Sequence, residues 1–350
     1  MAASVARHVW RAPRIIGTGM TKLSNTKDKS LTPTRLMKQA LDNALQAAKL
    51  QLHDLDALIA LPSLSHLHFM EAHHFATKIG LLPKPGLILR TVDTGGAGPI
   101  TALLEAKRMI ETEHINKVAI VGGDCVSSLN TKQFLERADK GCSNSSNPNE
   151  KSPVIPHGYD IYAQYQLQKY GARCGLTREH FAMVPVLMSQ YAVKHPASLM
   201  YGKQPHTLDD ILSSKRVCPI TNLLECARRA DGAAAVIVAS TGYVKNVATQ
   251  QPDVEVLVMG GGEASGPLYP PLDVASIDED VFSCEHAATI AYRESNLRCD
   301  DIDWFGLYDC FPITLIRAIE SVGLCDAGYG GQYIENAYNR LVETGELDVN

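Results

Sequence analysis

Short apolar runs and helix-length amphipathic stretches take turns from Arg14 to Gly122, and few architectures accept that alternation. Strands separated by helix-length segments imply βαβ units and a parallel sheet. Arg14-Ile15-Ile16-Gly17-Thr18-Gly19-Met20-Thr21 reads as a first strand and its turn. Thr32-Pro33 is a helix start signal, and Leu36, Met37, Ala40, Leu41, Ala44, Leu45 and Ala48 follow at helical spacing towards Leu50. Residues 55–61 form a buried-strand candidate, and a helix over about 68–79 is stopped by Gly80 and Pro83. A strand over 87–92, a helix over 99–112 and a strand over 117–122 complete the series.

The pattern then changes. Residues 131–156 break the alternation, and Asn144-Ser145-Ser146-Asn147-Pro148-Asn149 is a polar, turn-rich loop. Amphipathic helices over about 159–170 and 177–194 precede a strand at 232–240. This reads as an excursion inserted between two strands of one sheet. From Val254 a second α/β unit is expected, with strands at 254–259 and 304–308 and helices at 281–296 and 313–322. The expected organisation is a first half of residues 1–125 with 213–245, a loop domain of 126–212, and a second half of 246–350. Two strands give the second half little sheet on which to bury its helices.

Composition removes several classes. The net charge of −5 comes without a basic stripe, which argues against nucleic acid. No apolar run reaches the ~20 residues that span a bilayer. The nine cysteines form no CxxC pair and suit a reducing compartment. His66, His68, His73 and His74 lack the carboxylate and cysteine pattern of a metal site, and no metal is expected. Residues 1–27 hold Arg7, Arg11, Arg14, Lys22 and Lys27 without an acid, a composition compatible with a mitochondrial presequence confined to about the first dozen residues. The alternatives are cytosol and peroxisome, the latter unsupported by Asp348-Val349-Asn350.

One segment carries chemistry. Val92-Asp93-Thr94-Gly95-Gly96-Ala97-Gly98-Pro99-Ile100-Thr101 runs from a strand into a helix through small residues. Such a turn aims backbone N–H groups at a ligand. Together with Ile15 to Thr21, Gly171 to Pro196, Arg229-Ala230-Asp231-Gly232-Ala233-Ala234-Ala235 and Tyr308-Asp309-Cys310-Phe311-Pro312, it resembles the sterol-carrier-protein-linked branch of the thiolase superfamily. The resemblance covers about residues 14 to 350. It implies a thiolase fold of two βαβαβαββ halves in five layers, with a loop-domain excursion over the CoA site and a homodimer formed through the N-terminal half. The family's Gly-His-Pro loop and its second cysteine would lie beyond Asn350, so the second half is expected to be incomplete.

Residue by residue, the resemblance places Gly96 at the nucleophilic cysteine and Gly98 at the following serine. Tyr308 stands at a histidine, followed by Asp309, Cys310 and Phe311. Gly96 has no side chain, so thiolysis through it is excluded. Cys310, near a helix start, is either a substitute nucleophile or a packing thiol. Gly95, Gly96, Ala97 and Gly98 either present N–H groups to a thioester or phosphate or only permit a tight turn. His157 either lines an acyl tunnel or is structural, and Arg228 and Arg229 either meet CoA phosphates or are solvated. Three functions remain open: a nucleophile-less protein that binds CoA or acyl-CoA without a covalent cofactor, a retro-aldol acyl-CoA lyase using Tyr308, or a structural subunit. The lyase reading rests on bacterial steroid side-chain aldolases of the superfamily, which rely on tyrosines and imply an OB-fold partner.

Overall fold

Gly17 and Gly19 decide how the first strand meets the first helix. The computed structural model describes residues 12–25, 28, 30–144, 150–246 and 255–346. A Cβ on Gly19 would stand 2.1 Å from the Ala40 carbonyl oxygen, and one on Gly17 would stand 2.3 Å from that of Ala44. Strand β1 (Arg14–Met20) therefore lies directly under the helix Pro33–Ala48, whose small residues Ala40 and Ala44 are fully buried there. That helix begins where its sequence says it should. The Thr32 side chain accepts from the Arg35 N–H at 3.2 Å, and Pro33 follows in the first turn.

The chain forms two compact units. The first holds residues 1–130, 229–261 and 294–296. Its sheet adds β2 (Ala57–Ala60), β3 (Ile88–Thr91), β4 (Lys117–Cys125), β5 (Asp231–Ala239) and β6 (Val256–Leu257) in the order β3-β2-β4-β5-β1-β6. Strands β2, β3 and β4 are parallel, as the alternation predicts. The other half of the sheet is not: β5 runs antiparallel to both β4 and β1, and β6 antiparallel to β1. The sheet is mixed because β5 returns after the long excursion and is free to enter in either direction. Its core fills both faces, with Met37, Leu41, Leu58 and Phe75 fully buried on one and Ile59, Met109 and Val238 on the other. Truncating Leu41 to alanine in such packing costs about 2–5 kcal/mol.

The second unit holds residues 131–228, 262–293 and 297–350, and among its described residues there is no strand. Its core packs the helices Val154–Cys174, Arg178–Lys194, Pro312–Ser321 and Gly330–Thr344 around Phe181, Leu187, Phe311, Ile316 and Ile334. Two expectations are corrected here. The segment 304–308 is irregular, with Trp304 78% exposed, because no neighbouring strand offers a ladder to its backbone groups. The expected strand 254–259 is reduced to Val256–Leu257, and it joins the first unit's sheet, where Val258 N–H donates to the Pro13 carbonyl at 2.9 Å. No helix of the described residues is long and apolar enough to cross a membrane. The expected presequence, most of the polar loop after Asn144 and residues 348–350 lie outside the described residues.

Candidate functional site

Parallel strands deliver their following loops to one edge of a sheet, the edge where α/β proteins bind ligands. In the first unit those loops follow β2, β3 and β4. The loop after β3 is the glycine turn. Gly95 has φ +58°, a conformation only glycine adopts without strain, and an added Cβ there would meet nothing within 4 Å. Gly98 is needed for a different reason: its Cβ would press to 2.8 Å on Leu61 Cδ2 where the helix Gly98–Thr112 starts. Gly96 and Ala97 are exposed between them. Three backbone donors of the turn are already engaged, Gly95 N–H on Asp93 Oδ1 at 3.5 Å, Ala97 N–H on the Thr94 carbonyl at 3.3 Å and Gly98 N–H on the Gly95 carbonyl. Thr94 and Thr101 join their hydroxyls across the turn at 3.0 Å.

The loops after β2 and β4 are tied by a carboxylate. Asp124 accepts from the Ser63 hydroxyl (3.1 Å) and from the N–H groups of Leu64 (2.6 Å), Ser65 (3.1 Å) and Cys125 (2.7 Å). These four donors hold the Asp124 carboxyl group in one orientation. Glu71 opens the helix Glu71–Lys78, and Ala72 N–H beside it donates to Thr91 Oγ1 at the end of β3. Glu71 is only 1% exposed, and its Oε2 has no hydrogen-bond partner. Burial, reinforced by the charge of Asp124, raises its pKa to about 7. Cys125, the first unit's one cysteine among the described residues, is buried, and desolvation with Asp231 and Asp124 nearby pushes its thiol up to about 12. Asp231 braces the same region by accepting from the Ser127 N–H at 2.8 Å.

In the second unit, Tyr308, Asp309 and Cys310 form the turn into the helix Pro312–Ser321. Thr314 reaches back to hold it, donating to the Phe311 carbonyl at 2.6 Å, with the Tyr308 carbonyl at 3.2 Å. Cys310 is buried, with its sulfur 3.8 Å from Thr314 Oγ1, and desolvation raises its pKa. Near that helix start the buried thiol remains protonated. Desolvation also raises the Asp309 carboxyl and the Tyr308 phenol. Tyr308 is 66% exposed and stays a hydrogen-bond donor at neutral pH.

Tyr159 stacks on Phe311, centroids 4.6 Å apart. Both border a cavity that also touches Ala163, Arg178, Thr221 and Glu225. His157, two residues before Tyr159 and partly buried, does not line it, and burial lowers its pKa. Arg228 Nη1 lies 2.8 Å from Met200 Sδ. The sequence did not point to Glu71, Asp124 or the Arg178–Glu225 pair. Single charged residues carry no spacing signal, and only burial makes these three informative.

The fold is that of the thiolases, as superposition on solved thiolase structures shows. Residues 275–350 match the "Thiolase C-terminal domain-like" family. Bovine sterol carrier protein 2 is 26% identical over 343 residues, covering 93% of this chain and 59% of its own length. An acetyl-CoA acetyltransferase of Methanothermobacter thermautotrophicus is 27% identical over 342 residues, covering 96% of this chain and 83% of its own. Among solved structures, an "Ltp2-ChsH2(DUF35) aldolase" superposes with a TM-score of 0.72 at 22% identity, over 93% of this chain and 80% of that one. Over nearly its whole length the chain is similar to thiolase-superfamily proteins of the sterol-carrier-protein-2 kind. It spans about three fifths of the length of the bovine relative.

Proposed function

We propose that this protein binds acyl-CoA thioesters in lipid metabolism and has no cysteine-dependent thiolase activity. The observation that carries this is the glycine turn itself. The resemblance aligns Gly96 with the family's nucleophile, and Gly96 offers no side chain. Nor does another thiol of either site substitute, since Cys125 and Cys310 are buried with raised pKa values. Claisen-type transfer needs a thiolate at neutral pH. The likeness to proteins named acetyl-CoA acetyltransferase and sterol carrier protein 2 supports CoA esters as the ligand class.

A second reading is favoured by Tyr308 and by the likeness to an aldolase. An exposed phenol kept protonated donates to a developing enolate oxygen, which suits retro-aldol cleavage of a β-hydroxyacyl-CoA. Incubating the protein with β-keto- and β-hydroxyacyl-CoA esters, with products read by mass spectrometry, separates the two. Binding without turnover supports the first reading. Cleavage of hydroxy esters that is lost in Tyr308→Phe establishes the second.

The homodimer is part of the proposal. Leu67 (66% exposed), Phe69 (99%) and Met70 (47%) protrude from the loop after β2 and support contact with a second copy.

A further inference from the structure

Two stacked histidine rings hold an exposed apolar loop of the first unit in place. Leu67, Phe69 and Met70 stand out from the loop after β2, and His68 lies among them, half-buried. Its ring stacks on that of His74, with centroids 3.5 Å apart and planes 14° from parallel. His74 belongs to the helix Glu71–Lys78, and its N–H donates to the Met70 carbonyl at 2.9 Å. The apolar tip is thus tied twice to one helix, at His68 by the stack and at Met70 by the backbone. The same helix reaches the edge of the sheet, where Ala72 N–H donates to Thr91 Oγ1 at 3.1 Å. That edge is β3, with no further strand on its outer side among the described residues. An open strand edge beside apolar side chains can pair with itself about a two-fold axis, which suits a second copy of this chain.

Charge decides whether the stack holds. Two neutral imidazoles tolerate ring contact, whereas two imidazolium rings at this separation repel. Burial, then His68 and then Lys78, lower the pKa of His74 below its usual 6.5. A lowered histidine pKa stabilises the stacked form above pH 6.5, and that stabilisation is lost as pH falls through the lowered value. The neighbouring groups do not cancel this. Lys78 adds a positive charge one turn along the helix, and the exposed His66 and His73 add more on acidification. Arg90 of β3 is paired with Glu105 and Glu113, and β2 carries no charge. Glu71 becomes neutral as pH falls, so it offers no compensating carboxylate. Asp124 is engaged by the N–H groups of Leu64, Ser65 and Cys125.

From this arrangement we infer that the loop after β2 is a pH-dependent contact between two copies of the chain. With His68 and His74 neutral, the stack presents Leu67, Phe69 and Met70 to the partner copy. With both protonated, the rings part and the contact is lost. The inference rests on the homodimer reading above and adds its regulation.

Sedimentation equilibrium of the full chain at about pH 7.5 and about pH 5, at one ionic strength, tests it. The wild-type dimer is expected to weaken about tenfold or more at the lower pH. His68→Phe keeps a ring over His74 and removes one of the two charges, so its dimer should change by no more than about twofold. Glu71→Gln should keep the wild-type response, since Glu71 is not its source. Proton NMR of the wild-type histidines gives a second reading: the ring-current shifts of the stack should vanish over the pH range in which the dimer weakens. Circular dichroism should be the same at both pH values, and a loss of helix at the lower one would assign the response to unfolding and overturn the inference. A dimer of equal strength at both pH values would overturn it and leave the homodimer reading standing. An acid response that persists in His68→Phe would overturn it as well. A monomer at the higher pH would remove the homodimer reading and this inference together.

Discussion

Replacing Glu71 with glutamine should stabilise the first unit, by an amount that grows as pH rises from about 4.5 to about 7. An ordinary glutamate titrates near 4.5, whereas Glu71 in the folded protein titrates near 7. The folded state thus holds a proton that the unfolded state releases between those values, and stability falls as pH rises through that window. Below about pH 4.5 the carboxyl is neutral in both states and costs nothing. Above about pH 7 the full penalty applies. Each pKa unit is worth about 1.4 kcal/mol, so 2.5 units amount to about 3 kcal/mol. Exposure does not dilute this figure, since the residue is 1% exposed. Glutamine keeps the shape and cannot ionise. Native-state hydrogen exchange of the β2 and β4 amides in mild urea reads the opening free energy of this unit. At pH 4 wild type and Glu71→Gln should agree closely, and at pH 8 the variant should be about 3 kcal/mol more stable. Parallel pH profiles, or a variant weaker at pH 8, would refute the assignment of a buried, unpartnered acid beside Asp124.

Further outcomes are expected. Gly19→Ala drives a Cβ to 2.1 Å from backbone oxygen and should cost about 3 kcal/mol, while Gly98→Ala meets only the end of Leu61 and should cost about 1 kcal/mol; urea unfolding compares the two. In native protein at pH 7, Cys125 and Cys310 should react with iodoacetamide orders of magnitude more slowly than free cysteine, followed by peptide mass spectrometry. Phe69→Asp should shift the protein from dimer to monomer in light scattering after gel filtration, without loss of helix content by circular dichroism. Residues 1–27 fused to a fluorescent protein should carry it to mitochondria, as imaging would show.

Much of this fold could be read along the chain because its elements are locally coded. The helix Pro33–Ala48 announces itself through Thr32-Pro33 and the spacing of its apolar residues. The strand Lys117–Cys125 does so by an apolar run between helix-length segments. The direction of β5 was not legible, because pairing sense is a relation between strands and leaves no mark on either. The expectation of a strand at 304–308 failed on the same ground: apolar content suits a strand, yet a strand exists only where a neighbour accepts its hydrogen bonds. The helix Gly330–Thr344, with Ile334 and Leu341 buried, passed unnoticed among tyrosines and polar residues. At the site, small residues at Gly95 to Gly98 revealed the turn, since the positive φ of Gly95 favours glycine and Gly98 leaves room for the end of Leu61. Glu71 and Arg178 were silent, because a charge matters chemically only when folding strips its water and withholds a partner.

Intact-protein mass spectrometry after incubation with acetoacetyl-CoA tests the central claim most directly. The account predicts an unchanged polypeptide mass under denaturing conditions, together with a noncovalent complex under native ones. An acetyl adduct mapped to any cysteine, with release of acetyl-CoA on adding CoA, would contradict it.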